Sequence, residues 1–250
     1  MVAPAVKSPL LISFSGVDGS GKTTQIKNLC SLLHAAGLQT RVLTFWDNAV
    51  VAMKYRESFV HWVYKSERGV GAPGKPVSRR DKNMRGWHLT LVRHVLYLLD
   101  TVNLWRVVGR ERAAKGRESG QPDIIIFDRY IYDELANLNL DSRLSRAFIR
   151  LILAMAPRPD VAYLLDADPA EAYARKPEYA LDFMTRCRQA YFDLAALLGT
   201  MTIVPAVGMG DARRAVIDAA QQRLAATGKP VNSVSVDSQR REGAPTSLAR

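Results

Sequence analysis

The stretch Ser15-Gly16-Val17-Asp18-Gly19-Ser20-Gly21-Lys22-Thr23-Thr24 combines a lysine, several hydroxyls and a carboxylate with three glycines. Its spacing is G-x-x-x-x-G-K-[ST], and each fixed position has a physical task. Gly16, Gly19 and Gly21 allow positive φ and close backbone approach, so successive N–H groups can converge on phosphate oxygens. Lys22 then neutralises the outer phosphates, and the Thr23 hydroxyl ligates Mg²⁺. Asp18, Ser20 and Thr24 are expected to bind ATP with them, and Asp18 to reach the acceptor as well. The chemistry is nucleoside triphosphate binding. The loop alone names no reaction, because kinases, GTPases, ATPases and motor domains all use it.

A second acid stands at the end of Asp123-Ile124-Ile125-Ile126-Phe127-Asp128, four apolar residues followed by a carboxylate. That pattern delivers Asp128 to the ligand edge of a sheet, where it can hold a metal; capping of the next helix is the alternative.

Elements that position these groups are legible around them. Leu10 to Phe14 has the length and composition of a buried parallel strand. Ile26, Leu29, Leu32 and Leu33 recur on one face of a helix over 22–36, so the loop joins strand to helix. Gly37 stops that helix, and Thr40 to Phe45 reads as a second strand, with Trp46-Asp47-Asn48 past its carboxyl end. Residues 49–66 read as helix and 67–85 as a basic, glycine- and proline-broken loop. Residues 87–115 form a long helix, apolar around its circumference, which should cross the middle of the protein. Helices are further expected over 141–155, 169–175, 178–198 and 211–226, with strands over 160–166 and 200–204. The expected class is α/β: a P-loop NTPase three-layer fold, five parallel strands flanked by helices.

Across 250 residues, 48% hydrophobic content supports one large domain, and 35 basic against 24 acidic residues leave a charge of +11. Such charge implies anionic partners without choosing among nucleotides, nucleic acids and acidic membranes. No aromatic-rich RNA-binding signature accompanies it, so no specific nucleic-acid partner is expected. Leu89 to Val108 carries Arg93, His94, Asp100 and Arg106, which argues against a membrane span. Cys30 and Cys187 stand apart, the four histidines are scattered, and the N-terminus lacks a signal-peptide layout. The expectation is a cytoplasmic protein without structural zinc.

At Asp128-Arg129-Tyr130 the chain begins to resemble thymidylate kinases. The phosphate loop with Asp18 and Thr23-Thr24-Gln25 agrees. So do Leu165-Asp166-Ala167-Asp168-Pro169 through Ala174-Arg175, Glu178, and Arg186-Cys187-Arg188-Gln189-Ala190-Tyr191. The resemblance covers residues 10 to about 205. It implies transfer of the ATP γ-phosphoryl to a nucleoside monophosphate with Mg²⁺, a lid around 168–188, and a homodimer. Asp128 and Arg129 would sit between donor and acceptor, with Arg129 gripping the acceptor phosphate beside Tyr130. Arg175 would swing over the transferring group, with Arg186 and Arg188 in reserve. This suits a transition state that spreads negative charge over equatorial oxygens.

The acceptor side departs from the family. Tyr97 falls where the family stacks an aromatic on thymine, but Thr101 stands where it usually places a base-reading arginine. Phe45-Trp46-Asp47-Asn48 also lacks the arginine usual in that loop. Losing such a donor costs discrimination. The sequence therefore reads as a thymidylate kinase-like phosphotransferase acting on dTMP or a related acceptor. The alternatives are a P-loop kinase for another small molecule and a regulatory ATPase module. A GTP switch is disfavoured because no N-K-x-D element follows a strand. The expected layout is a kinase domain over 1–227 and a disordered tail over 228–250.

Overall fold

A computed structural model describes residues 8–51, 87–113 and 122–226. The readings for 52–85 and the tail, and the last residues expected of the long helix, lie outside these described residues.

Five parallel strands form the centre: β1 (Leu10–Ser15), β2 (Thr40–Thr44), β3 (Ile124–Asp128), β4 (Val161–Leu165) and β5 (Met201–Val204). Their order is β2-β3-β1-β4-β5. In register, Ile12 stands between Ile126 of β3 and Val161 of β4. The three inner strands are apolar because helices cover both of their faces; β1 and β4 are buried along their whole length. Edge strands β2 and β5 expose several positions instead.

Strand alternation divides the core into two layers. On one face Leu10, Ile12, Phe14, Ile124, Ile126, Tyr163 and Leu165 pack against α1 (Lys22–Ala35) and α8 (Met209–Ala226). On the other, Leu11, Ile125, Phe127 and Leu164 meet the remaining helices. These are α2 (Phe45–Asn48), α3 (Trp87–Arg112), α4 (Ile131–Leu135), α5 (Arg143–Met155), α6 (Pro169–Arg175) and α7 (Leu181–Leu198).

Several boundaries differ from the sequence reading for local reasons. Phe45 opens α2 and does not extend β2. The helix expected from Asp141 starts at Arg143 because Ser142 caps it, accepting from the Ser145 amide. Proline at the first position of α6 has its expected place, with Asp168 capping the Ala170 and Glu171 amides. Helix α4 was not legible, since five residues carry too short a period.

The long helix α3 corrects a larger expectation. It does not cross the middle. It buries Tyr97, Asp100, Thr101, Leu104 and Val108 against the sheet layer, while Leu91, Val92, Val95, Leu99, Val102 and Trp105 face outward. An all-round apolar pattern here means two apolar faces, one turned to the core and one to the surface.

Candidate active site

The phosphate loop runs from the end of β1 into α1, and its glycines are needed where they stand. Gly16, Gly19 and Gly21 have φ of 141°, 81° and 87°. A Cβ on Gly16 would run into the Leu165 carbonyl oxygen, and one on Gly19 would lie 2.7 Å from the Ala172 carbonyl oxygen. The loop is thus wedged between the end of β4 and helix α6. Nothing stands within 4 Å of the Cβ direction at Gly21.

Lys22 lies inside the loop. Its side chain is buried, with Nζ donating to the carbonyls of Gly16 at 2.9 Å and Val17 at 2.8 Å and to the Ser20 hydroxyl at 3.4 Å. Burial pushes its pKa down to about 8, with the Arg129 charge adding to the fall and Asp18, Asp133 and Asp128 opposing it. The lysine is therefore a charge held inside the loop. Thr23 and Thr24 are exposed at the first turn of α1.

Opposite the loop, β3 ends in Asp128, paired in register with Phe14 of β1 and Thr44 of β2. Burial raises the Asp128 carboxyl above its usual range, although Lys22 and Arg129 pull the other way. Arg129 follows in the left-handed region at φ 66°, its amide bonded to the Phe14 carbonyl at 2.8 Å. That conformation is strained for a residue with a Cβ. The guanidinium reaches back to the loop: Nη2 contacts the Asp18 carboxylate and Nη1 donates to Asp133 Oδ1 at 3.0 Å. Burial works against the Arg129 charge, but Asp133, Tyr191 and Asp18 overcome it and raise its pKa.

Asp133, on α4, is the residue that sequence reasoning missed. It is 4% exposed and accepts from Ser15 Oγ at 2.7 Å, Tyr191 OH at 2.7 Å, Arg129 Nη1 and the Tyr130 amide at 3.1 Å. The available signal was an acid three residues after Tyr130, which is the spacing of a helix cap.

The structure gathers the loop, Lys22, Asp18, Asp128 and Arg129 at the carboxyl edge of the sheet, where open α/β folds bind ligands. Of the expected acceptor residues, Arg129 and Asp18 stand at that edge, while Tyr97, Thr101 and Tyr130 are buried. Tyr130 is fully buried, its hydroxyl donating to the Pro157 carbonyl at 2.5 Å. Tyr97 is 7% exposed within the same core layer. Thr101 is fully buried, and its hydroxyl donates to the Tyr97 carbonyl one turn back at 2.7 Å.

The donor set fits the ligands implied by the loop. Three glycines hold the loop backbone at positive φ, two of them packed where a Cβ would clash with Leu165 and Ala172. Among the described residues no three His, Cys, Asp or Glu side chains gather as a ready-made metal cage. A threonine hydroxyl and one carboxylate are what Mg²⁺ uses when phosphates supply the remaining oxygens.

No family model matches the chain. Over 199 residues it is 30% identical to the thymidylate kinase of Bifidobacterium longum subsp. infantis, covering 76% of this chain and 75% of that one. The chain belongs to the thymidylate kinase family. It is a thymidylate kinase-like phosphotransferase, an ATP-dependent nucleoside monophosphate kinase. The thymidylate kinase of Xanthomonas oryzae pv. oryzae is 28% identical over 242 residues, 90% of each chain. The solved thymidylate kinase of Candida albicans shares the fold at a TM-score of 0.53 and 18% identity, covering 89% of this chain and 93% of that one.

In this thymidylate kinase-like chain the three other arginines differ in their freedom. Arg175, at the end of α6, is half exposed and donates from Nε to the Glu171 carbonyl at 3.3 Å. Arg186 is exposed and pairs with Asp182 at 3.0 Å. Arg188 makes a two-pronged pair with Asp166, at 2.6 and 2.7 Å, and lies over the Phe192 ring. That pair ties α7 to the end of β4.

Proposed function

We propose that this kinase passes the ATP γ-phosphoryl to dTMP or a closely related nucleoside monophosphate. One contact carries the reading: Arg129, from the end of β3, meets Asp18 inside the phosphate loop, so a cation on the acceptor side adjoins the donor cradle. In this reading Gly16, Asp18, Gly19, Ser20, Gly21, Lys22, Thr23 and Thr24 hold ATP, and Thr23 with Asp128 holds Mg²⁺. When bound, the metal would offset the charge of the phosphates. Arg129 grips the acceptor phosphate, and Arg175, on a lid over 168–188, adds positive charge as the phosphoryl transfers. Since phosphoryl transfer asks mainly for positioning and charge, these cations supply the catalysis.

A second acceptor class is favoured by a specific observation. Thr101 and Tyr97 are withdrawn into the core, which leaves this pocket without the family's usual means of selecting thymine. The test is ATP-dependent transfer measured side by side on dTMP, dUMP, dCMP, CMP, nucleosides and sugars. Transfer to pyrimidine monophosphates with shallow preference supports the proposal. Transfer confined to a hydroxyl-bearing compound without phosphate would overturn it.

We further propose a cytoplasmic homodimer, with the kinase domain over 1–227 and an appended tail. The outward stripe from Leu91 to Trp105 on α3 offers the apolar surface a dimer needs. Both cysteines are free thiols, which suits a reducing compartment. Among the described residues no helix is long and apolar enough to cross a membrane. Sedimentation of wild type and Leu99→Glu tests the dimer. A monomer at micromolar wild-type concentration would exclude it.

A further inference from the structure

The Asp133 carboxylate has no capacity left for a ligand. An ionised carboxylate offers about four acceptor positions, and Asp133 fills them with four donors from three parts of the fold. Ser15 Oγ (2.7 Å) comes from the last residue of β1, the Tyr130 amide (3.1 Å) and Arg129 Nη1 (3.0 Å) from the turn after β3, and Tyr191 OH (2.7 Å) from α7. Serving as a general base or a metal ligand would break one of these bonds in a buried setting. A buried charge persists only when paired and fully bonded, and Asp133 is both. Helix α4 and the turn before it are thereby tied to the strand that launches the phosphate loop.

Arg129 is held asymmetrically. One edge of its planar fork rests on Asp133, which is almost fully buried; the other faces Asp18, whose side chain is 25% exposed and belongs to the loop. The Asp18 edge is thus the one able to exchange its carboxylate for a phosphate oxygen. The left-handed backbone at Arg129 adds the same restriction from below, aiming the side chain back across the sheet edge.

We propose that Asp133 is a positioning residue that fixes Arg129 through one edge of its guanidinium and leaves the other edge to a phosphate of the acceptor. This rests on the reading of Arg129 as the acceptor grip. Tyr191 and Ser15 belong to the device because they hold the Asp133 carboxylate in one rotamer. Replacement by asparagine preserves size but points an amide N–H at either Arg129 or another donor, so the fork loses its support.

The experiment is a double-mutant cycle in acceptor kcat/KM at saturating ATP, with Arg129→Ala, Asp133→Asn and the pair. Arg129→Ala tests the underlying reading: unchanged acceptor kcat/KM would remove it, and the inference with it. Given a loss there, Asp133→Asn is expected to lower acceptor kcat/KM about a hundredfold while leaving the KM for ATP within about twofold. In the Arg129→Ala background the same change should cost less than about twofold. Equal losses in both backgrounds, or a parallel rise in the ATP KM, would show that Asp133 only stabilises the fold and overturn the inference. If Asp133→Asn does not fold, Tyr191→Phe takes its place, with an expected loss of about three- to tenfold that also disappears without Arg129. A Tyr191→Phe loss that persists in the Arg129→Ala background counts against the inference in the same way.

Discussion

The donor and acceptor sides of this site are built differently. The donor cradle is nearly contiguous in the chain, with the glycines, Lys22 and Thr23 all between the end of β1 and the first turn of α1. Its backbone φ values and its packing against Leu165 and Ala172 leave little room for substitution. The proposed acceptor side was expected from residues far apart in the chain, Arg129 and Tyr130 after β3 and Tyr97 and Thr101 on α3, and all of these but Arg129 are buried in the core. A contiguous site announces itself by pattern. One assembled from distant elements changes a residue at a time without losing the fold.

The largest effect should come from breaking the donor side. Lys22→Ala is expected to lower kcat/KM at least about a thousandfold, roughly 4 kcal/mol, through loss of the charge beneath the phosphates. Steady-state kinetics alongside circular dichroism checks it, and normal turnover in a folded variant would contradict the donor assignment. Next in size is Arg175→Ala, where kcat should fall about a hundredfold with little change in the KM for ATP. A rise in KM at constant kcat would make Arg175 an ordinary binding residue.

Acceptor selectivity sharpens the comparison from the weak side. Discrimination among dTMP, dUMP, dCMP and CMP should stay under about tenfold in kcat/KM, below ~1.4 kcal/mol, because no arginine stands at position 101. A steep preference for dTMP would mean that another residue reads the base.

The smallest effect is on stability and leaves activity at neutral pH untouched. Burial raises the pKa of Tyr130, Tyr163 and Tyr191, and pushes Tyr132 up to about 12. The unfolded chain ionises its tyrosines near pH 10 while the folded one keeps them neutral, so stability should fall as pH rises from about 10 towards 12. Lys22 acts with the opposite sign: its folded value of about 8 lies below the unfolded 10.5, so it adds stability between those two pH values. Melting temperatures should therefore hold up to pH 10 and drop beyond it, less so in Tyr132→Phe. A flat profile to pH 12 would refute this.

How much was legible follows from locality. β1, β3, β4 and β5 were placed because each is a short, largely apolar run, β2 because it follows the Gly37 helix stop, and α1, α6 and α7 because capping or periodicity marked them. Helix α3 misled because apolarity around a helix does not say which face meets the core and which the surface. In the site, Lys22, Asp18 and Asp128 came from pattern, and Arg129 from the family resemblance. Asp133 was invisible because its role depends on Ser15 and Tyr191, separated from it by 118 and 58 positions. Tyr130 looked like a ligand contact only because it adjoins Arg129; the turn sends its ring inward.

The contact between Gly19 and Ala172 limits how the proposed lid can travel. A Cβ at position 19 would meet the Ala172 backbone, so in the proposed lid an opening movement of α6 would start from close against the loop. Arg175 lies three residues farther along the same helix, about 4.5 Å at the usual rise. In the proposed lid the arginine would thus ride on a short arm beside the phosphate loop. On that proposal small rotations of α6 would become graded changes in the field at the phosphoryl group, and a side chain at position 19 would clash with the Ala172 backbone.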